Sequence, residues 1–485
     1  MSEHTTKRRN PAHPHYWIPE FLLITRKRPR RQIRLMLLAT LVGVATGTGA
    51  VLFYVATVVA VRLALGGGAG YWPEPHPGGE PHLIWPVLPR HEFIPGLLLL
   101  IPAVGGLLSG LLVGMFAPEA EGHGTDAAIK AYHEKDGLIR PRVPLVKTLA
   151  SALTIGSGGS GGREGPIAQI GAGIGSTLAN LLGLAPSERR VLMAAGVGAG
   201  VAAIFRAPLA GALFAAEVLY WSPEFESEVI IPAGIASVVS YCTFGSVFGW
   251  APLFRTPDFA FHNPLELGPY LLLALAMTTL AGVYTRSFYG FADLFHKLKL
   301  PPWMKPALGA FLTGAVGLAL YYATGRRTEA LSVLSFGYDS LQRALDGDPT
   351  DGAGILMIVA LGKILTTSLT IGSGGSGGVF GPSMVIGGCS GGALGLVFHH
   401  AWPRLVPYPA SYVVLGMGGF FAAAAKTPFS TLVIVSELTG SYHMLLPAIW
   451  VCVISFMLSD EHSLFRSQVE NRAASPAHRR PIHPG

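Results

Sequence analysis

Residues 154–162 read TIGSGGSGG, and residues 370–378 repeat the same nine letters. A glycine and serine loop that opens a helix leaves N–H groups without intrahelical partners at the positive end of the helix dipole, and such an end binds anions. Two loops of this kind can converge on one anion without a full positive charge. An anion held by amides alone can also leave, as passage through a membrane requires. The loops then diverge. The first continues Gly162-Arg163-Glu164-Gly165-Pro166 and the second Gly378-Val379-Phe380-Gly381-Pro382, so only one copy carries a carboxylate at the helix mouth. Ionised Glu164 can occupy the anion site as a tethered competitor of a free anion. Burial and the helix N-terminus pull its titration in opposite directions, and a gate that opens on protonation follows.

Other chemistry fits these letters less well. The bland reading is that the glycines only let helices pack closely; identical loops at repeated positions favour an ion site instead. A phosphate-binding loop needs Lys followed by Ser or Thr after its last glycine, where this chain has Arg163-Glu164 and Val379-Phe380. Ser160 sits in a Gly-X-Ser-Gly setting that suits the nucleophile of a membrane hydrolase, but Ser376 repeats the setting, and a duplicated nucleophile argues against it. A salt bridge to a neighbouring arginine is the structural alternative for Glu164. No metal-ligand spacing is present and no cofactor is implied. His399 and His400, like His13 and His15, are read as interfacial or unstructured rather than as ligands.

Positioning such loops takes a membrane. Of 485 residues, 50% are hydrophobic, 13% are charged and 62 are glycine, with mean hydropathy +0.46. An ordinary soluble domain is about 25% charged. Runs within 35–65, 94–117, 229–250 and 443–458 have little or no charge, and about 20 such residues cross a hydrocarbon core. A soluble enzyme, a disordered chain and a secreted scaffold are excluded. Shorter, glycine-broken segments occur at 146–155, 167–183, 191–204 and 208–220, and again at 356–371, 383–398, 411–425 and 429–438. Short broken segments at matching places in two halves predict discontinuous helices meeting near the midplane.

The repeat extends outward from the loops. Lys147 pairs with Lys363, Pro166 with Pro382 and Gly171 with Gly387; further on, Arg206 pairs with Lys426, Pro208 with Pro428 and Glu217 with Glu437. Two homologous halves follow, about 35–250 and 265–460, either parallel or inverted. Segments 66–93 and 325–350 read as loops. The net charge is +7, but it clusters at Lys7–Arg9 and Arg26–Arg34, before the first apolar run, rather than over a nucleic-acid-binding face. The positive-inside rule puts segment 1–34 in the cytoplasm, and Arg479 and Arg480 suggest the same side for a short tail, 461–485. Neither a cleavable signal peptide nor a sizeable cytoplasmic domain is expected. Cys242, Cys389 and Cys452 lie in apolar segments and read as small hydrophobes, not as a disulfide framework.

At these residues the chain resembles the CLC family of chloride channels and chloride/proton exchangers, over about 35–460. GREGP at 162–166 is similar to the family's gating-glutamate signature, and GGVFGP at 377–382 to its second filter motif. SYHMLLP at 441–447 is similar to the segment with the inner-gate tyrosine, and EGHGTDAA at 121–128 lies where the first filter motif belongs. The resemblance implies an all-α polytopic membrane protein with two inverted-repeat halves of tilted and discontinuous helices. It implies a homodimer in the lipid bilayer of the cell's inner membrane, with one chloride pore in each subunit, and no enzyme activity. By the match, Glu164 is the external gate and proton acceptor. The anion-binding set is His123, Gly124, Arg163, Gly165, Val379, Phe380 and Tyr442, with the amides of Val379 and Phe380 and the Tyr442 hydroxyl on the central anion. Glu217 falls at a carboxylate the family carries near the subunit interface.

Two departures from the family pattern bear on function. The first filter motif is usually Gly-Ser-Gly-Ile-Pro, whereas this chain has Gly122-His123-Gly124-Thr125-Asp126. His123 can donate an N–H to an anion or point away and leave only its backbone; both readings stay open. Asp126 is expected to cap a helix start, since a carboxylate facing the pore would repel anions. Exchangers also carry a glutamate after the Glu217 position as an internal proton relay, and here that residue is Val218. Proton-coupled exchange is the first reading, with water or Glu224, Glu226 or Glu228 completing the route; a passive chloride channel is the second. Fluoride or nitrate selectivity stays open.

Overall fold

The computed structural model describes residues 29–73, 91–257, 259, 261–348 and 352–479. The basic residues 7–28, and Arg480, lie outside them. Among the described residues the fold is helical, with isolated backbone bridges and no named strand. The first half holds α1 (Pro29–Val61), α2 (Leu97–Phe116), α3 (Thr125–Glu134), α4 (Val143–Gly156), α5 (Glu164–Leu181), α6 (Pro186–Phe205), α7 (Pro208–Glu217) and α8 (Ser227–Phe248). The second half repeats the order as α9 (Leu267–Lys297), α10 (Lys305–Ala323), α11 (Tyr338–Asp346), α12 (Ala353–Gly372), α13 (Phe380–Ala401), α14 (Ser411–Ala425), α15 (Pro428–Thr439) and α16 (Leu445–Leu458). Seven helical segments among these are long and apolar enough to cross a membrane. Shorter apolar helices include α4, α7, α14 and α15, at four of the glycine-broken segments.

The halves are inverted. Gly162 and Gly378, one from each loop, exchange both backbone hydrogen bonds at 2.8 Å in an antiparallel bridge. Glu217, at the end of α7, accepts from the Phe429 and Ser430 amides at the start of α15, at 3.0 and 2.7 Å. Glu437, near the end of α15, accepts from the Leu209 and Ala210 amides at the start of α7, at 3.3 and 2.8 Å. Each carboxylate therefore supplies acceptors for the orphan N–H groups of the other helix, and the two helices must run antiparallel. Proline at the first position of both gives up an N–H that would be orphaned anyway.

Glycine sets the spacing of the next layer. A Cβ on Gly171 (α5) would stand 2.0 Å from the Gly196 carbonyl (α6), and the reverse holds at the same distance. Gly387 and Gly416 repeat the contact between α13 and α14, at 2.5 and 2.3 Å. Side chains at these points would push the helices apart and carry the loops with them. The helices that open at the loops therefore sit on backbone-to-backbone contacts, the closest packing available within a bilayer.

The ends of the molecule are identifiable by contact. Arg31 and Arg34, at the start of α1, bind Glu188 of α6 at 3.0 and 2.7 Å. Arg190 binds Asp136 just after α3 at 3.2 Å, and His133 of α3 meets Ser475 at 2.8 Å. The C-terminal segment 459–479 thus lies at the same end as the start of α1, here called the basic end. It is fastened by Ser467, whose amide and hydroxyl donate to Asp126 at 2.7 Å each, and by Gln468, which donates to the carbonyls of Val218, Tyr220 and Ala425 at 3.0, 3.3 and 3.0 Å. Asp126 therefore does not cap α3, whose N-cap is Gly124; its carboxylate is taken by the C-terminal segment. Segment 325–350, read as a loop, contains α11. Its buried face of Tyr338, Leu341, Ala344 and Leu345 alternates with an Asp339–Arg343 pair at 3.1 Å, a pattern too short to stand out beside the flanking polar residues.

Candidate anion site

The two loops meet where their helices begin. A Cβ on Gly165 would stand 2.1 Å from the His123 carbonyl and 2.9 Å from Gly378 Cα, and one on Gly124 would stand 2.6 Å from the Gly165 carbonyl. Three chain segments therefore touch through backbone alone. Val379 is the N-cap of α13 and Phe380 its first residue; both are buried. The Phe380 ring packs against Phe421, Phe205 and Phe214 with centroids at 3.9, 4.5 and 5.9 Å, which fixes the helix start. His123, Gly124, Gly165, Val379 and Phe380 are thus brought together.

Glu164 is the first residue of α5 and 1% exposed. One carboxylate oxygen accepts from the Gly381 amide at 3.1 Å, and the other accepts from the Tyr338 hydroxyl. A carboxylate of the first half is therefore held at the helix N-terminus of the second. Arg163 is also buried, and its guanidinium lies between the rings of Tyr54 and Phe336 at 4.5 and 4.4 Å. Its charge is directed into an aromatic sandwich. The buried Ser160 hydroxyl meets Thr367 at 2.9 Å, a contact between the halves.

Tyr442 is placed elsewhere. α15 leaves the basic end, where Glu217 holds its first amides, so the turn after it lies at the opposite, far end. There Tyr442 is 60% exposed and lines a cavity of about 490 Å³ with Phe254, Arg255, Thr256 and His443. The aromatic residue at the basic end of the site is Phe465, whose ring lies 5.7 Å from that of His123; Phe288 lies 5.9 Å away on another side. His123 is 9% exposed, and its Nδ1 is buried without a hydrogen-bond partner. Phe465 in turn lines a second cavity, of about 500 Å³, with Arg286, Tyr289, His462 and Arg466.

A chain of side-chain contacts results. It leads from Phe465, which lines the basic-end cavity, through His123, the glycine loops, Glu164 and Tyr338 to Phe254, whose ring meets Tyr338 at 5.6 Å and which lines the far-end cavity. Arginine stands at both mouths. Along the line the site offers backbone amides, an imidazole nitrogen and a phenol, with one carboxylate in the position of a ligand. Such a path suits a small monovalent anion. Tyr338 and Phe465 carry no mark in the sequence pattern. The likeness of the two segments is structural: Gly124 and Gly337 both precede short helices and both have positive φ, 79° and 74°.

Comparison with known proteins agrees with this geometry. The model of the voltage-gated chloride channel family matches residues 105–460. The H(+)/Cl(−) exchange transporter ClcA of Vibrio cholerae is 32% identical over 362 residues, covering 72% of this chain and 73% of its own. A ClcB-like chloride channel protein of Ralstonia nicotianae is 29% identical over 367 residues, covering 74% and 81%. Among solved structures, a slow cyanobacterial Cl−/H+ antiporter superposes with a TM-score of 0.74 at 23% identity, over 89% of this chain and 96% of that one. A CLC-type fluoride/proton antiporter gives 0.74 at 21% identity, over 91% and 99%.

Proposed function

The chain belongs to the voltage-gated chloride channel (CLC) family, and from that premise we propose that it exchanges chloride for protons across a bacterial inner membrane, with Glu164 as the gate and proton carrier. The observation that carries this reading is the Glu164 carboxylate, buried and seated on the Gly381 amide of the opposite half. An ionised carboxylate there blocks an anion by occupying its place. Protonation removes the charge, releases the side chain and lets chloride in, so one group couples the two ions. The amides of Val379 and Phe380 hold the central anion from the α13 N-terminus. His123 supplies a neutral N–H donor from Nδ1, the buried nitrogen that otherwise lacks a partner. Arg255 lines the far-end cavity, and a positive side chain there raises the local anion concentration. Both termini are assigned to the cytoplasm, and the protein to a homodimer with one pore per subunit.

Proton supply from the basic end is the step this chain must solve in its own way. Val218 carries no proton. Glu226, 1% exposed, is eight residues on, accepts from the Tyr220 hydroxyl at 2.6 Å and meets His478 at 2.8 Å and Arg472 at 3.3 Å, and it is the relay we assign at the basic end. A passive chloride channel is the second reading, and Val218 is the residue that favours it. Glu164→Gln separates the parts of the proposal. In chloride-loaded liposomes this variant is expected to keep chloride flux and lose proton movement. Unchanged proton coupling in Glu164→Gln would remove Glu164 from the mechanism.

A further inference from the structure

Two arginines share one carboxylate at the start of α1. Arg31 and Arg34, one helical turn apart, both donate to the same oxygen of Glu188, in the first turn of α6, at 3.0 and 2.7 Å. The side chain of Glu188 is 8% exposed, whereas those of Arg31 and Arg34 are 69% and 54% exposed. A guanidinium carries five N–H donors in a fixed fork, and each of these two places one on Glu188. More than half of each arginine side chain is left on the surface, with one positive charge in excess. The next residues of α6 add to that charge. Arg189 donates to the Asp136 carbonyl at 2.9 Å, and Arg190 to the Asp136 carboxylate at 3.2 Å. Four arginines thus meet two carboxylates where α1, α3 and α6 come together.

The charge stands at the head of an apolar surface. On α1, Ile33, Leu37, Leu41 and Val44 are exposed. Their spacing of four, four and three residues puts them on one face of the helix, which leads from the arginines into the membrane span. Leu181 and Leu182, at the end of α5 just before α6 begins, are exposed as well. An apolar row below a cationic head complements a phospholipid, with acyl chains beside the leucines and phosphate beside the guanidiniums. The arginine fork matches phosphate geometry, and basic sites between helices at the cytoplasmic surface bind anionic headgroups. A free phosphate or an acidic peptide would leave the apolar row unused.

We propose that Arg31 and Arg34 bind the phosphate of an anionic phospholipid in the leaflet at the basic end, with its acyl chains along the exposed face of α1. Glu188 is the orienting group: it anchors the two guanidiniums by one N–H each and leaves their other donors for the phosphate. Arg189 and Arg190 add to the positive field. The lipid then joins α1 to α6. Gly196 of α6 is the residue on which Gly171 of α5 rests, and α5 opens with Glu164. A lipid at this join braces the packing of the helix that carries Glu164. Binding at the site does not depend on whether Glu164 couples chloride to protons.

Thermal midpoints of the full-length protein in a neutral detergent, titrated with lipid, test the site. Phosphatidylglycerol is expected to raise the midpoint saturably, while phosphatidylcholine and inorganic phosphate at the same concentrations leave it unchanged. In the double variant Arg31→Gln with Arg34→Gln, the half-saturating concentration of phosphatidylglycerol is expected to rise by about fivefold for each arginine removed. Arg34→Gln alone, with Arg31 still on Glu188, is the milder form of the same test, with a rise of about fivefold expected. Glu188→Gln separates a lipid contact from a structural ion pair, because it removes the carboxylate and keeps both arginines. It is expected to bind phosphatidylglycerol at least as tightly as wild type. An equal rise with phosphatidylcholine, a rise with inorganic phosphate alone, unchanged half-saturation in the arginine variants, or the same weakening in Glu188→Gln would overturn the proposal.

Discussion

Gly165 and Gly381 are the positions where one methyl group probes the site. At Gly165 a Cβ would stand 2.1 Å from the His123 backbone carbonyl, and neither backbone segment can step aside. Gly165→Ala is therefore expected to lower thermal stability by more than the ~1–3 kcal/mol typical of core overpacking, with loss of monodisperse protein as the visible sign. At Gly381 the nearest obstacle is the Tyr338 hydroxyl, which can move. Gly381→Ala is expected to fold and to release the gate, seen as faster chloride efflux; efflux equal to wild type would contradict the crowding argument. These glycines were legible in the sequence as an anion loop, as was Glu164. The likeness of SYHMLLP to a family segment points to Tyr442, but a short motif does not say at which end of the molecule its tyrosine lies, and Tyr442 is 60% exposed at the far end. The residue that meets His123 is Phe465, in a segment without periodicity or repeat, and no letter pattern marks it.

Helix pairs set the next scale. The crossed carboxylates Glu217 and Glu437 tie α7 to α15, but not equally. Glu217 is 0% exposed and adds the Ser430 hydroxyl to its two amides, whereas Glu437 has amides alone. Glu217→Ala is expected to cost about 1–3 kcal/mol, the range for a buried donor left unmade, and Glu437→Ala less. The ordering of the two melting temperatures tests this, and the reverse order would contradict it. The pairing of Glu217 with Glu437 was visible in the repeat, whereas its crossed geometry was not, because letters do not distinguish parallel from inverted halves. Helix α11 was hidden for a related reason. Nine residues between polar flanks look like a loop until the partners of Leu341 and Leu345 are known.

The C-terminal segment operates at the scale of the whole molecule, fastening the basic end across both halves. His133, on α3 outside the membrane spans, binds Ser475 and the Leu219 carbonyl at 2.8 and 3.0 Å. Burial pulls its titration down to about 4, against a smaller upward effect of the Leu219 carbonyl. A histidine lowered in the folded state stays neutral there while the unfolded chain takes up a proton near pH ~6.5. Stability from this residue is present above that pH and is lost as pH falls from about 6.5 towards about 4. In melting curves across that window, His133→Gln is expected to flatten the decline, and an unchanged slope would assign the acid sensitivity elsewhere. Composition made the membrane character plain, and the repeat made the two halves plain. The fastening of the tail was not legible, since most of it rests on contacts between residues far apart in the chain, such as Gln468 with Val218 and Tyr220.

The central claim is that one carboxylate couples two ions, and wild-type protein in liposomes tests it most directly. With a chloride gradient imposed and external pH recorded, chloride leaving the vesicles should drive protons inward against their gradient, and a proton ionophore should abolish the pH change while chloride efflux continues. Chloride efflux with no proton movement would contradict exchange and leave Val218 as the mark of a channel.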